Sequence, residues 1–424
     1  MVANADGYFY KTPAEITEDD YLCSPRSFEE QPNEFGYKCP EPLKLNTPKE
    51  IDKDLAWLMG YLVGNGSVND LKEGRVDITV HYSDEDIVDR IMSTTSKYGV
   101  NATSRYQDKK NAYVIYWHSV EFRQYLLSLG LKAALAHEKT VPASIFQCPK
   151  DVIRAFLQGC FDADGCAQKI AYVVYITTSK RLSNELLVLM KHLGVFGVLQ
   201  HRKAAKNGNY DSQAIAVSGP SLIAFRESIN FWGRRKKQRC NDYVFTRNGK
   251  TNRDTIPFGK KLCLEFKLVC RLNNVHYTAN RNSQFNFVSA VIRGKSKLNY
   301  RHLREMAVIL SLNGINIPFL MRRTLDCHHF FDQVVKVAET GKITEMIDIE
   351  VSGSHSFLVN GYATHNSQGS TFRNVFVDVA NILTNKRRNM VQMPGQANKV
   401  QVYERNQLLY VAMTRPSHRL FITE

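Results

Sequence analysis

The sequence has 424 residues, more than one ordinary domain, and its 43% hydrophobic and 11% aromatic content suffices for packed cores, which excludes wholesale disorder. Its formal net charge of +15 points to a polyanionic partner, nucleic acid first. No apolar run is long enough to span a bilayer, and Met1–Gly7 lacks the basic and apolar regions of a signal peptide, so the expectation is a cytoplasmic chain with no membrane partner.

Residues 1–47 read as short strands and turns, punctuated by Pro13, Pro25, Pro32, Pro40 and Pro42. From about 50 to 232 the pattern repeats. The first unit opens with an apolar helix from Leu55 to Gly66, followed by a strand over Val76–Tyr82. Ser83, with Asp86 three residues on, reads as the capping box of a helix ending at Gly99. Strands around 101–107 and 112–118 follow, and Ser119 caps a helix ending at Gly130. The second unit opens with a helix over Ala155–Gly165 and a strand over Ala171–Ile176. A helix from Ser179 to Gly194, strands near 198–203 and 213–217, and a helix from Pro220 to Phe231 complete it. The predicted order is α-β-α-β-β-α in both units, which implies one pseudo-twofold domain. A basic run, Arg234–Arg239, comes next. Residues 241–325 are mixed in composition, with a helix predicted at 300–312, and short β segments return at 333–337, 347–351 and 356–359. The nine cysteines include no CxxC pair, which disfavours a disulfide framework and a zinc ribbon.

Aligning the two opening helices matches Gly60 with Gly159, Gly64 with Ala163, Asn65 with Asp164 and Gly66 with Gly165. Small residues four apart let another helix backbone approach closely. Such a pair would bring residues 65 and 164 side by side, where carboxylates hold divalent metal over phosphodiesters. The segment Phe156–Gly165, with Phe161-Asp162-Ala163-Asp164-Gly165 at its end, resembles the signature of LAGLIDADG homing endonucleases, and the first helix resembles its other copy. The resemblance implies that Asp164 and the residue at 65 are the metal positions, with Mg²⁺ as cofactor and double-stranded DNA as partner. It implies a monomeric endonuclease domain that reads DNA with its β-strands. Lys139, in Lys139-Thr140-Val141-Pro142, resembles the family's Lys-x-x-Pro block and is a candidate for polarising water or the scissile phosphate; a solvated loop lysine is the other reading. Arg105, Lys109, Lys110, Arg202, Lys203 and Lys206 fit phosphate contacts or an ordinary basic surface. Asn65 departs from the family's Asp: it offers a carbonyl oxygen but no charge, so nicking or impaired cleavage is expected.

Near the C-terminus stands His365-Asn366-Ser367. An Asn side-chain amide can attack its own carbonyl, forming a succinimide and releasing the next residue's amine, and a neighbouring His can supply the proton. A serine hydroxyl can accept an acyl group. From Asp332 through Asp348 and His355 to Ser367, the chain resembles the C-terminal splicing blocks of inteins, which form strands of the Hint fold. The resemblance implies that Asn366 cyclises, His365 assists, Asp348 and His355 support, and Ser367 is the first residue of the flanking host protein. Residues 7–26 resemble the stretch just after the N-terminal splicing blocks, so a missing N-terminal intein and extein fragment is an expected partner.

After the junction, Ser367-Gln368-Gly369-Ser370-Thr371 and Val411-Ala412-Met413-Thr414-Arg415 resemble motifs V and VI of superfamily 1 DNA helicases. The resemblance implies that Arg415 reaches the ATP γ-phosphate in an assembled helicase. The lone Gly249-Lys250-Thr251 would need its first glycine at Val244, so it is no P-loop. The expected fold class is therefore α+β and multidomain. A partial all-β Hint domain (1–47 and 326–366) is interrupted by a pseudo-twofold endonuclease (48–240), with pseudo-repeats at 48–149 and 150–240. Residues 241–325 form an additional DNA-recognition subdomain or linker, and 367–424 a fragment of a RecA-like helicase domain. The alternative is a free-standing or inactive LAGLIDADG DNA-binding protein that no longer splices.

Overall fold

The computed structural model describes residues 1–26, 37–41, 44–68, 74–168, 172–204, 210–245, 254–276, 285–338 and 356–365, together with the strand backbones 372–378 and 416–423. These fall into two compact units, residues 2–9 with 17–335, and residues 1, 10–16 and 336–424.

The larger unit begins with three short strands, β1 (Val2–Asn4), β2 (Gly7–Phe9) and β3 (Tyr21–Ser24), paired antiparallel through β1. Helix α1 (Lys53–Asn65) follows, its N-terminus capped by the Asp52 carboxylate, which accepts from the Leu55 amide at 2.8 Å. Every residue from Leu55 to Val63 is buried, as in a helix covered on all sides. Then come β4 (Gly66–Val68), β5 (Arg75–His81), α2 (Glu85–Lys97), β6 (Thr103–Gln107), β7 (Ala112–His118) and α3 (Val120–Ser128). The second repeat runs α4 (Lys150–Asp164), β8 (Gly165–Gln168), β9 (Tyr172–Thr177), α5 (Lys180–His192), β10 (Val198–Arg202), β11 (Ser212–Ser218) and α6 (Pro220–Ser228).

Each repeat holds one strand more than the sequence pattern predicts, because β4 and β8 are three- and four-residue strands starting directly at Gly66 and Gly165. The sheets have matching antiparallel orders, β4-β5-β7-β6 and β8-β9-β11-β10. Ser119 caps α3 as predicted, and α5 starts where predicted, with Ser179 as its cap. Ser83 does not cap α2: its hydroxyl bonds His81 Nδ1 at 2.7 Å, and the residue at the cap position is Asp84. The Asp84 carboxylate is instead held by Arg235 through two 2.7 Å contacts.

The basic run after 232 is helical, α7 (Arg234–Phe245). It is followed by α8 (Gly259–Leu272), α9 (Asn286–Ile292), α10 (Tyr300–Leu312) and α11 (Phe319–Cys327). Helix α8 buries Leu262, Cys263, Phe266 and Cys270 at helical spacing, and Asn299 caps the predicted α10 by accepting from the His302 amide. Strand β12 (Phe330–Gln333) then pairs antiparallel with β3, Phe330 opposite Ser24 and Gln333 opposite Tyr21. It lies three residues before the strand predicted at 333–337. Phe330 and Phe331 are the residues that bury, whereas Val335 stays 84% exposed.

In the smaller unit β13 (Ser356–Val359) and β14 (Tyr362–His365) form a hairpin across Asn360-Gly361, both at positive φ as a tight two-residue turn requires. The Met1 amino group donates to the Ala363 carbonyl at 2.8 Å. Strands β15 (Phe372–Asp378) and β16 (Pro416–Thr423) pair in parallel. Among the described residues no helix is long and apolar enough to cross a membrane.

Candidate active site at the paired helix ends

Helices α1 and α4 pack backbone against backbone. A Cβ on Gly60 would stand 2.0 Å from the Phe156 carbonyl oxygen, and one on Gly159 would stand 2.0 Å from that of Trp57. One turn on, a Cβ on Gly64 would meet the Ala163 methyl at 2.4 Å. Only glycine permits this approach, and the reciprocity places the C-terminal residues Asn65 and Asp164 on either side of a pseudo-twofold axis.

The two ends differ. Asp164 is partly buried, and among the described residues no hydrogen bond reaches its carboxylate. Burial raises its pKa above the ordinary carboxylate range, while Lys139 and then Lys236 pull it back. It lines a cleft of about 210 Å³ with Gly64, Lys139, Ile176, Thr177 and Thr178. Asn65 is exposed, and its Nδ2 donates to the Ala163 carbonyl at 3.3 Å. Its amide is thus tied across the axis to the other helix.

A lysine sits on each helix end. Lys139 Nζ donates to the carbonyls of Gly64 (2.7 Å) and Gly66 (3.1 Å), where a cation complements the negative end of the helix dipole. Its loop is pinned by Ser179 Oγ donating to the Lys139 carbonyl and by the Val141 amide donating to Glu185, both at 2.7 Å. Desolvation lowers its pKa, opposed by Asp164. Lys236 does the same for α4, donating to the carbonyls of Asp162 (2.5 Å) and Ala163 (3.0 Å), and desolvation lowers its pKa also. Sequence reasoning passed over Lys236 as one member of a basic run. The available signal was spacing: residue 236 follows 164 at nearly the interval by which 139 follows 65.

Asp162 brings Lys236 into place. Its carboxylate, 3% exposed, accepts from Trp57 Nε1 (2.8 Å) and from the amides of Trp232 (3.0 Å) and Gly233 (3.1 Å), which fixes the start of α7. Burial pushes it up to about 6 despite these bonds. The Arg90 guanidinium stacks between the Trp57 and Trp232 rings, at 4.1 and 4.5 Å.

Arg105, in the middle of β6, is exposed, as are Lys109 and Lys110 just after that strand and Arg202 and Lys203 at the end of β10; Lys206 lies outside the described residues. His365 ends β14 and is described by its backbone only. Asp348, His355, Asn366, Ser367 and Arg415 lie outside the described residues. Among the described residues no cluster of three or more His, Cys, Asp or Glu side chains is gathered for a metal ion. The donors at the helix ends are the Asp164 carboxylate and the Asn65 amide oxygen.

Residues 52–130 and 151–230 each match the family model of a LAGLIDADG-like domain, one match per repeat. The chain therefore contains a LAGLIDADG-like domain built from both repeats. It is similar to the replicative DNA helicase DnaB of Rhodothermus marinus, 25% identical over 377 residues, covering 84% of this chain and 37% of that protein. The replication factor C small subunit of Methanocaldococcus jannaschii is 30% identical over 227 residues, covering 51% of this chain and 12% of that protein. The RNA polymerase subunit Rpo1C of the same organism is 22% identical over 327 residues, 75% of this chain and 36% of that protein. The chain thus spans little more than a third of the length of the helicase relatives. Among solved structures, the homing endonuclease I-DmoI in complex with DNA and Mn is similar at 16% identity, covering 42% of this chain and 96% of that one with a TM-score of 0.33.

Proposed function

We propose that this chain carries the C-terminal splicing blocks of an intein together with a LAGLIDADG DNA endonuclease, and that helicase host sequence follows the splice junction. The observation that carries the endonuclease reading is the arrangement around Asp164: a carboxylate without a competing hydrogen bond among the described residues, at the end of a glycine-packed helix pair, with a lysine on each helix end. The relatives support insertion into a host. A replicative helicase, an RNA polymerase subunit and an aminotransferase share no chemistry, yet each matches most of this chain over roughly a third of its own length. An element inserted into each accounts for that pattern. The pairing of β3 with β12 supports one splicing domain whose halves flank the nuclease.

The residues at the site suit a divalent ion, Mg²⁺ in this reading, held by Asp164 with the Asn65 amide oxygen as the weaker second donor. Such an ion activates water and offsets charge on a phosphate. Lys139 and Lys236, desolvated and fixed on carbonyls, place positive charge beside the scissile phosphates. The commitment of the Asn65 amide to Ala163 supports unequal half-sites, with nicking ahead of double-strand cleavage. The same contact favours a second reading, a DNA-binding protein with an impaired nuclease. The natural DNA substrate in the first reading is the uninterrupted helicase gene.

In the splicing step the Asn366 side-chain nitrogen attacks its own carbonyl carbon. The bond to Ser367 breaks, and His365 gives its proton to the departing amine. Asp348 and His355 support this step, the Ser367 hydroxyl takes the acyl group, and Arg415 serves ATP only in the assembled helicase. Intact-mass measurement after mixing the chain with a matching N-terminal fragment tests the assignment. A ligated product and a peptide starting at Ser367 are expected, and both should vanish in Asn366→Ala; products unchanged in that variant refute it. Binding to duplexes spanning the uninterrupted gene should weaken steeply with salt as counterions are released. Salt-insensitive binding counts against the DNA reading.

A further inference from the structure

Residues 254–328, which run through α8, α9, α10 and α11, hold twelve Lys and Arg against four Asp and Glu, so a net +8 of the chain's +15 sits in this stretch. Two of the four acids are already engaged, Asp254 by Arg26 and Glu305 by Arg301, the latter at 3.0 Å. Residues 277–284, between α8 and α9, add no acid. Like charge at that density repels itself, and a polyanion laid across it relieves the repulsion.

The surplus is gathered at a built corner between α9 and α10. Helix α9 ends in a Schellman motif: the Gly294 amide donates to the Val291 carbonyl at 3.0 Å and the Lys295 amide to that of Ala290 at 2.8 Å, with Gly294 at φ +71. Leu298 closes the other side. Its side chain is buried, its carbonyl accepts from the Ile256 amide at 2.9 Å, and Asn299 then caps α10. Between these anchors Arg293, Gly294, Lys295, Ser296 and Lys297 are all exposed, and among the described residues no Asp or Glu pairs with the three cations. A Cβ on Gly294 would meet nothing within 4 Å, so the corner is open to a large ligand. It is also fixed to the endonuclease. Tyr300, the first residue of α10, and Phe196 of the second repeat lie under the same Arg26 guanidinium, 5.3 Å from each ring centroid, and Arg26 pairs with Asp254 ahead of α8.

We propose that Arg293, Lys295 and Lys297 form a second duplex-DNA contact, gripping phosphates on one flank of the site that the LAGLIDADG-like domain occupies. The inference rests on the DNA-binding reading above. Lysine, arginine and serine side chains at an open corner bind phosphate oxygens and fix register without reading base edges. The turn is set before binding, so little backbone ordering opposes the contact. Because the corner is held beside the second repeat, it lengthens the contact on that repeat's flank alone, adding affinity without adding sequence information.

The test compares the full chain with its Arg293→Gln/Lys295→Gln/Lys297→Gln variant on a duplex about six helical turns long, centred on the uninterrupted helicase site. Gly294 and Leu298 are kept, so the turn stands and the urea midpoint should not move. The plot of log affinity against log salt should become shallower by about 0.9 per lost contact, about 2.7 in all. The ratio of affinities for the site and for an unrelated duplex should stay the same, and the hydroxyl-radical footprint should shorten on one flank. If the urea midpoint does fall, Lys295→Gln alone carries the test, with a slope shallower by about 0.9. A triple-variant slope within about 0.5 of the parent's, or a footprint shortened on both flanks or on neither, overturns the proposal while leaving DNA binding intact. A changed sequence preference makes the corner a reader of bases and overturns it equally. If the parent chain binds no duplex at any salt, the DNA-binding reading itself fails.

Discussion

Substituting Gly159 by Ala attacks the packing that creates the site. The new methyl carbon would stand 2.0 Å from the Trp57 carbonyl oxygen, 2.9 Å from the Trp57 carbonyl carbon and 2.9 Å from the Tyr61 amide nitrogen. These neighbours are backbone, so no rotamer change relieves the clash. Reaching an ordinary contact of about 3.4 Å requires the helices to part by about 1.4 Å. Both helices are surrounded by the main core cluster, so that separation disturbs packing along their length. The expected loss is at the upper end of overpacking costs, about 3 kcal/mol or more. It should appear in urea as a lower midpoint with an unchanged slope. The same shift moves Asp164 relative to Lys139, and a displacement near 1 Å costs on the order of a hundredfold in rate. Gly314→Ala is the control: Gly314 has φ +69 and no atom within 4 Å of the place its new methyl would occupy, so only backbone strain of about 1 kcal/mol is expected. If Gly159→Ala unfolds within about 0.5 kcal/mol of the parent chain, the helices are not in backbone contact and the reasoning is wrong.

Lys236→Met keeps the aliphatic stem but removes the charge on the α4 carbonyls. It should slow cleavage on the order of a hundredfold while duplex affinity changes little; equal losses in both would make Lys236 a general phosphate contact. Asp162 gives a pH signature. Its folded pKa of about 6 lies above the ordinary 3.8, so the stability it contributes is full below about pH 4 and is lost as pH rises through about 6. Asp162→Asn should therefore cost about 3 kcal/mol more at pH 4 than at pH 7, by the free energy of a two-unit shift. A pH-independent difference between the two proteins, measured by denaturant unfolding, would contradict the burial argument.

The parts of this fold that sequence exposed are those where one residue type has one physical use. The glycines at 60 and 159 announce a close helix contact because no other residue fits, and Ser119 and Ser179 announce helix starts because their hydroxyls satisfy free amides. Strands β4 and β8 were hidden because three or four residues carry too little alternation. Helices α8 and α11 were hidden because Lys and Arg dilute the apolar period between buried positions, and α9 because its seven residues are too few to show one. Lys236 was hidden for a different reason. Its basic neighbours Arg234, Arg235, Lys237 and Arg239 make a charged surface the natural reading, and only the tertiary contacts to Asp162 and Ala163 single it out. The start of α2 was misjudged because Asp84 answers to Arg235, a residue 151 positions away that no local rule brings near.

The account turns on Asp164 as the charged metal position of an asymmetric pair. The direct measurement is cleavage of a supercoiled plasmid carrying the uninterrupted helicase site, with Mg²⁺, scored for nicked and linear products. The parent chain should nick, Asp164→Asn should do neither, and Asn65→Asp should shift product towards linear by restoring a second charge, each 1.4 kcal/mol or so of recovered stabilisation giving roughly tenfold in rate. Full activity in Asp164→Asn would contradict the catalytic assignment, and efficient linearisation by the parent chain would contradict the asymmetry.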